Sequence, residues 1–140
     1  MKPIPLNPKT DSRKYPFYQS PAACGFVSPA ADYLQETLSL DQLLIHHPAA
    51  TFFARAKGKS MEGAGIFDDD ILIIDRSLTA KSGDVIIALL DGELIVKRLV
   101  CRNGRVFLES EHPEYPAITI NAEQDLDVWG VVTNVIHSLR

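Results

Sequence analysis

The sequence predicts a mainly β fold with one or two short N-terminal helices and an extended N-terminal arm. Three observations support this prediction. After Pro48, apolar residues recur with the period of two that is typical of strands. Asp91-Gly92 and Asn103-Gly104 separate such segments, and both dipeptides favour tight hairpin turns because Asn, Asp and Gly tolerate positive φ. The first 23 residues hold five of the nine prolines and show no helical period.

The proline-rich segment 1–27 is predicted to be a flexible, extended arm, and residues 28–140 are predicted to form one β-rich domain. Prolines favour extended backbone, and the polar residues between them supply little apolar surface for a core. The arm is too short to hold a three-helix DNA-binding module such as a helix-turn-helix domain. A chain of 140 residues fits one compact domain with a short appendage.

A short helix is predicted to begin at Ser28, which suits the N-cap, with Pro29 at the first helical position. Residues 40–45 are predicted to add another helical turn before Pro48. The apolar residues of the first helix have roughly helical spacing and are Ala30, Ala31, Leu34 and Leu38.

Seven strands are predicted after these helices. Three of them, joined by the two hairpin turns, form a β-meander. The predicted strands are 51–56, 71–75, 84–90, 93–101, 105–109, 117–120 and 127–136.

The composition indicates an ordinary soluble protein and excludes several functional classes. The formal net charge of −4 lacks the basic excess of a dedicated nucleic-acid binder, so direct sequence-specific DNA binding is not expected. There is no signal-peptide core and no run of about 18 apolar residues, which predicts a cytoplasmic protein without a membrane span. Cys24 and Cys101 lack a CxxC pattern and the four histidines are scattered, so neither a metal nor another cofactor is expected.

Ser60 lies in a glycine-rich loop between two predicted strands. Flanking glycines would let backbone N–H groups approach a substrate carbonyl, as a serine nucleophile requires. The same pattern is also typical of an ordinary turn serine that bonds its own backbone. The loop is not a phosphate-binding P-loop, because the upstream glycine and the following helix are both missing. The residues of the loop alone do not decide between a serine nucleophile and an ordinary turn serine.

Lys97 is the lysine best suited to act as a base. Lys57, Lys59 and Lys81 lie in polar loops where the ammonium stays charged, and arginine cannot be deprotonated. Lys97 instead lies in a predicted strand with apolar residues on both faces, and burial lowers the pKa of a lysine. The alternative is that its long side chain reaches the surface.

Four sequence blocks occur in one order and spacing, namely AKGKSM (56–61), GIFDDD (65–70), GDVI (83–86) and GELIVKRL (92–99). Together they resemble the catalytic core of the LexA-like self-cleaving proteins over residues 51–136. The upstream block CGFVSPAADY (24–33) resembles the cleavage-site region of the UmuD family, the polymerase-associated branch of that group. The resemblance implies a LexA/signal-peptidase-like β-rich catalytic core, with residues 28–140 as an S24-peptidase-like self-cleavage and dimerisation domain.

The resemblance implies that Ser60 is the nucleophile and Lys97 the general base, within hydrogen-bonding reach of each other. Backbone N–H groups at Ser60 and its neighbour would form the oxyanion hole. The bond between Cys24 and Gly25 would be cleaved, with Cys24 as a small side chain before the bond and not as a nucleophile. Met61 is expected to anchor the loop in the core; the alternative is that it forms part of the substrate cleft.

One departure from the family pattern concerns Asp69. The family commonly has Asp-Gly-Asp where this chain has Asp68-Asp69-Asp70, so Asp69 is expected to adopt the left-handed turn of the glycine, with local strain. The three acids are expected to form a solvated turn before the next strand.

The resemblance further implies an SOS-response protein whose self-cleavage is stimulated by a RecA filament on single-stranded DNA. The shortened form, residues 25–140, would be a homodimer and the accessory subunit of a Y-family, error-prone translesion polymerase. Two alternatives remain. One is a noncatalytic β-rich adaptor of a DNA polymerase or other partner. The other is a signal-peptidase-like processing enzyme, which needs a membrane anchor for which the sequence offers no candidate.

Overall fold

A seven-stranded antiparallel sheet dominates the computed structural model, which describes residues 13–18, 34–121 and 123–140. The sheet belongs to the larger of two units into which the chain divides, Met1–His46 and His47–Arg140. The mainly β fold predicted from the sequence is confirmed. The predicted boundary between residues 27 and 28 stays a prediction.

The first unit contains a strand pair and a short helix. Strand β1 (Tyr15–Tyr18) pairs antiparallel with β2 (Leu34–Leu38), and helix α1 spans Leu40–Leu44. Ser39 caps α1, because the N–H of Gln42 donates to its side-chain oxygen at 3.4 Å. The helical turn predicted over residues 40–45 is therefore confirmed.

The prediction of a helix that starts at Ser28 is wrong for the part of that segment that the structure describes. Leu34 and Leu38, two of its four apolar positions, lie in strand β2, which pairs with β1. Pairing with a second strand satisfies the backbone of this segment, whereas a short isolated helix is only marginally stable. Residues 28–33 lie outside the described part of the chain.

The second unit carries the predicted strands, each within one residue of its predicted ends. Their order across the sheet is β3-β4-β9-β5-β6-β7-β8. The strands are β3 (Thr51–Arg55), β4 (Ile71–Asp75), β5 (Val85–Leu90), β6 (Glu93–Arg102), β7 (Arg105–Glu109), β8 (Ile118–Ile120) and β9 (Leu126–Ile136).

The two predicted hairpin turns are confirmed. Asp91 and Gly92 have φ of 49° and 85°, and Asn103 and Gly104 have φ of 51° and 75°. Two consecutive positive φ values are typical of the type I′ turn, whose twist matches that of the flanking strands. These turns fix the register of the meander β5-β6-β7, in which Ile86 pairs with Lys97.

Strand β9 is inserted between β4 and β5, so the end of the chain joins the two halves of the sheet. Its register shifts once opposite each neighbour, between Ile73 and Ile74 and between Ile87 and Ala88. Gly130 lies beside these irregularities, where a Cβ would be 2.6 Å from Cγ2 of Ile74. The close approach of β9 to β4 therefore requires glycine at this position.

Two apolar clusters cover the sheet, and alternate residues of β5 belong to different clusters. Ile87 packs in the first cluster, whereas Ile86 and Ala88 pack in the second. This alternation buries the central strands on both faces. The other buried members are Ala56, Met61, Ile66, Leu72 and Ile74 in the first cluster and Leu99, Leu108 and Val131 in the second.

Asp75, at the end of β4, is a buried acid with a complete set of partners. Its carboxylate accepts hydrogen bonds from the N–H and hydroxyl of Ser77 at 2.8 and 2.6 Å and lies 2.6 Å from Nδ1 of His47. Burial alone would raise the pKa of Asp75, but the bonds from Ser77 and His47 outweigh it and lower the pKa to about 2.

Replacing Asp75 with Asn is expected to destabilise the protein by about 1–2 kcal/mol at neutral pH. Because the folded-state pKa is depressed, this stabilisation is present above the unfolded-state pKa of about 4 and is lost as the pH falls toward 2. Urea unfolding of wild type and Asp75→Asn at several pH values measures the difference. Asp127→Asn, at an exposed position of β9, is the control. A difference that does not shrink on acidification would contradict this account.

Candidate active site

The loop between β3 and β4 presents Ser60 on a rigid backbone. Gly58 has a φ of 89°, which only glycine adopts readily, and its N–H donates to Oδ1 of Asp68 at 2.8 Å. Met61, which follows Ser60, is only 3% exposed and packs in the first apolar cluster. A 3₁₀ turn (Glu62–Ala64) then ends at Gly65. The anchoring role predicted for Met61 is confirmed.

The three acids before β4 are bound to this loop, and the solvated turn predicted for them is wrong for Asp70. Asp70 is 4% exposed, accepts a hydrogen bond from the Phe67 N–H at 2.8 Å and lies 2.5 Å from Nδ1 of His137. Burial raises its pKa, but these two partners outweigh that effect and hold the pKa below its usual value. Sequence reasoning missed His137 because only the sheet brings the chain end back to the turn.

Asp69 has a φ of 75°, so it adopts the left-handed conformation predicted for it. Its exposed carboxylate accepts a hydrogen bond from Nζ of Lys57 at 2.8 Å, and its backbone N–H donates to the Ala56 carbonyl at 2.8 Å. The bond and charge of Lys57 lower the pKa of Asp69. The aspartate at the position of the usual glycine therefore ties the acidic turn to the segment that leads to Ser60.

Lys97, on β6, reaches the same loop. Its Nζ lies 2.9 Å from Oγ of Ser60, so the two side chains are in hydrogen-bond contact. Burial lowers the pKa of Lys97, and the negative charge of Glu93 on the same strand opposes this effect. The ring centroid of Tyr115 is 5.8 Å from Nζ. The lysine side chain is partly buried and directed at the serine.

A cavity of about 350 Å³ lies beside these two residues. Residues of β3, of the Ser60 loop and of β4, β5 and β6 line it, and four of them are charged, namely Arg55, Lys57, Glu93 and Lys97. The apolar residues that line it are Ala54, Ala56, Met61, Ile66, Leu72, Ile87, Leu94, Ile95 and Val96. Such a cavity can hold a short apolar segment of polypeptide within reach of Ser60.

The other residues singled out from the sequence lie elsewhere. Lys57, Lys59 and Lys81 are exposed, as expected of loop lysines. Cys101 is exposed on β6. Cys24 and Gly25, the predicted cleavage site, lie outside the described residues. The structure therefore brings together Ser60 and Lys97 and leaves the scissile bond as a prediction.

No group of three or more His, Cys, Asp or Glu residues in the described segments has the arrangement of a metal site. No helix within 13–18, 34–121 and 123–140 is long and apolar enough to cross a membrane.

Comparison with known proteins identifies the family. Residues 16–133 match the family described as Peptidase S24-like. The chain belongs to this family. It is 42% identical over 132 residues to protein ImpA of Escherichia coli, which covers 93% of this chain and 88% of ImpA. It is 41% identical over 125 residues to protein MucA of Salmonella typhimurium, covering 89% of this chain and 83% of MucA.

A more distant S24 relative is the LexA repressor of Ectopseudomonas mendocina, 34% identical over 115 residues, which are 81% of this chain and 56% of the repressor. ImpA and MucA are UmuD-family proteins, and the resemblance found in the sequence is thereby confirmed. The chain is a LexA-like SOS protein and, at the level of the family, a self-cleaving serine peptidase.

Replacing Glu93 with Gln is expected to lower the pKa of Lys97 further, because the Glu93 carboxylate is the group that opposes the effect of burial. NMR titration of isotope-labelled lysine side chains measures this pKa. The measurements are made in a Ser60→Ala background, which removes the hydroxyl of the candidate nucleophile, and Lys97→Arg assigns the signal. Glu123→Gln, at an exposed position before β9, is the control. An unchanged or higher Lys97 pKa in Glu93→Gln would contradict the electrostatic account.

Proposed function

We propose that this protein cleaves its own chain between Cys24 and Gly25, with Ser60 as nucleophile and Lys97 as general base. The observation that carries the proposal is the 2.9 Å contact between Nζ of Lys97 and Oγ of Ser60 beside a cavity. The depressed pKa of Lys97 supports it, because a base must hold a neutral amine near physiological pH. A serine with such a partner is more than an ordinary turn residue.

The reaction follows from these two side chains. The neutral amine of Lys97 takes the hydroxyl proton of Ser60 while Oγ attacks the carbonyl carbon of Cys24. Backbone N–H groups at Ser60 and its neighbour stabilise the resulting oxyanion. The Lys97 ammonium then returns the proton to the amine of Gly25, which leaves as the C–N bond breaks. Water, deprotonated by Lys97, hydrolyses the acyl ester on Ser60 and restores the hydroxyl.

The chemistry of the cavity suits the proposed cleavage segment. A segment such as AACGFV (22–27), which carries no charge, can pack against the apolar part of the cavity wall. Glycine after the scissile bond lets the backbone approach Ser60, where a Cβ would obstruct it. Cleavage within one subunit and cleavage across a homodimer are both compatible with this requirement.

In the proposed biological role, a RecA filament on single-stranded DNA stimulates this cleavage in the cytoplasm after DNA damage. Residues 25–140 then act as a homodimer and as the accessory subunit of a Y-family polymerase in error-prone translesion synthesis. The similarity to ImpA and MucA supports this role. The net charge of −4 is consistent with a protein that reaches DNA through partners.

Full-length protein is expected to cleave itself faster as the pH rises from about 6 to about 10 and to reach a plateau above the Lys97 pKa, because only the neutral amine is a base. Intact-mass measurement should detect the fragments 1–24 and 25–140. Ser60→Ala and Lys97→Ala should be slower by about a hundredfold or more. Lys81→Ala, which removes an exposed lysine, should cleave like wild type.

Normal cleavage in Lys97→Ala would refute the dyad. Absence of cleavage in wild type, even with added RecA filament, would favour the noncatalytic adaptor.

The fragment 25–140, produced by self-cleavage, is expected to co-purify with the Y-family polymerase of the same cell. The Ser60→Ala protein, which should retain the arm, is the matched comparison in the same pull-down. Sedimentation of the fragment alone should give the mass of a dimer. Failure of the fragment to bind the polymerase would indicate a peptidase that acts without this partner.

A further inference from the structure

Glu111, which follows β7 by two residues, holds both ends of the Ser60 turn through its backbone. Its N–H donates to the Ser60 carbonyl at 2.8 Å, and its carbonyl accepts from the Gly63 N–H at 2.8 Å. A Cβ on Gly63 would lie 2.6 Å from the Glu111 carbonyl oxygen, so glycine is needed for this contact. The position of Ser60 therefore depends on the position of Glu111.

The side chain of Glu111 is bound to the strand that carries Lys97. Its Oε1 lies 2.5 Å from Nε of Arg98, the residue after Lys97 on β6. Nη1 of Arg98 also donates to the Gly83 carbonyl, in the turn before β5. Successive residues of a strand point to opposite sides, so Lys97 and Arg98 have different partners. Lys97 contacts the Ser60 side chain directly, whereas Arg98 contacts Glu111, whose backbone bonds the Ser60 carbonyl.

We propose that Arg98 and Glu111 are positioning residues that set the distance between Ser60 and Lys97. They close a ring of contacts that runs from Lys97 to Arg98, Glu111, Ser60 and back to Lys97. The proposal rests on the proposed function, because its consequence is the rate of self-cleavage. Neither residue touches the reacting atoms.

The ion pair is placed to affect geometry more than stability. The side chains of Arg98 and Glu111 are 31% and 32% exposed, and pairs with this access to water contribute little to folding. Nucleophilic attack is far more sensitive, since a displacement of about 1 Å can cost about a hundredfold in rate. Loss of the pair should therefore slow cleavage without unfolding the protein.

Arg98→Ala and Glu111→Ala are expected to reduce the plateau rate of self-cleavage by about 10- to 100-fold per folded molecule. The double variant should be no slower than Arg98→Ala, because Arg98→Ala already breaks the ion pair that Glu111→Ala removes. The apparent pKa of the pH–rate profile should stay at the wild-type value, since a positioning defect does not alter the base. Arg98→Lys, which keeps the charge but cannot make both bonds of the guanidinium, should fall between Arg98→Ala and wild type.

Arg102 provides the matched control, because it also lies on β6 and forms an exposed ion pair, at 3.6 Å, with Glu109 at the end of β7. Arg102→Ala should cleave like wild type. Circular dichroism and thermal unfolding give the folded fraction by which each rate is divided. If Glu111→Ala folds poorly, it is replaced by Glu111→Gln, which keeps the shape of the side chain and one acceptor oxygen but removes the charge.

The outcomes separate this inference from the proposed function. If wild type and Ser60→Ala both fail to cleave, the proposed function fails. If wild type cleaves and Arg98→Ala matches it per folded molecule, the positioning role is overturned. A shifted pH profile with an unchanged plateau would also overturn it, because Arg98 would then act through its charge on Lys97. Additive slowing in the double variant would contradict the shared contact.

Discussion

The partial burial of Lys97 against the Ser60 hydroxyl is the interaction on which the candidate active site depends. An exposed ammonium would stay protonated and could not accept a proton, whereas a fully buried and unpaired one would cost several kcal/mol of stability. Lys97 lies between these limits, with its pKa lowered by burial and partly restored by Glu93. The hydroxyl of Ser60 satisfies the amine in the resting state and is also the group that it would deprotonate.

This environment exists because the sheet is covered on both sides. Alternate residues of the central strands pack into two different apolar clusters, and Lys97 and Arg98 lie in the partly buried middle of β6. Lys97 finds Ser60, and Arg98 finds Glu111 and the Gly83 carbonyl. These neighbouring cations on one strand thus have separate partners: Lys97 contacts Ser60, and Arg98 contacts Glu111, whose backbone holds the Ser60 loop.

The Ser60 loop is held by contacts from several parts of the chain, which suits the proposed reaction. In self-cleavage the substrate is part of the chain and each molecule reacts once, so geometry matters more than turnover or substrate affinity. Asp68 bonds the Gly58 N–H and Asp69 bonds Lys57, which fixes the approach to Ser60. Asp69 accepts a positive φ and gains an ion pair that the usual glycine could not form. The buried Asp70 and the exposed His137 hold the same turn to the segment after β9.

The sequence by itself determined the strands of the larger unit, because strands depend on local periodicity, and both hairpin turns, because these depend on the φ preferences of Asn, Asp and Gly. It also determined the choice of Lys97 among the lysines, because that choice depends on the chemistry of the side chains around it. It could not place β9 between β4 and β5, since strand order depends on contacts between residues distant in the chain. The helix predicted to include Leu34 and Leu38 is a strand, because apolar spacing alone does not show that this segment pairs with β1. Only the tertiary structure brought Nζ of Lys97 to 2.9 Å from Oγ of Ser60 and bonded the Glu111 backbone to the Ser60 loop. Lys97 lies 37 positions after Ser60 and Glu111 lies farther still, so these residues meet only when the sheet forms.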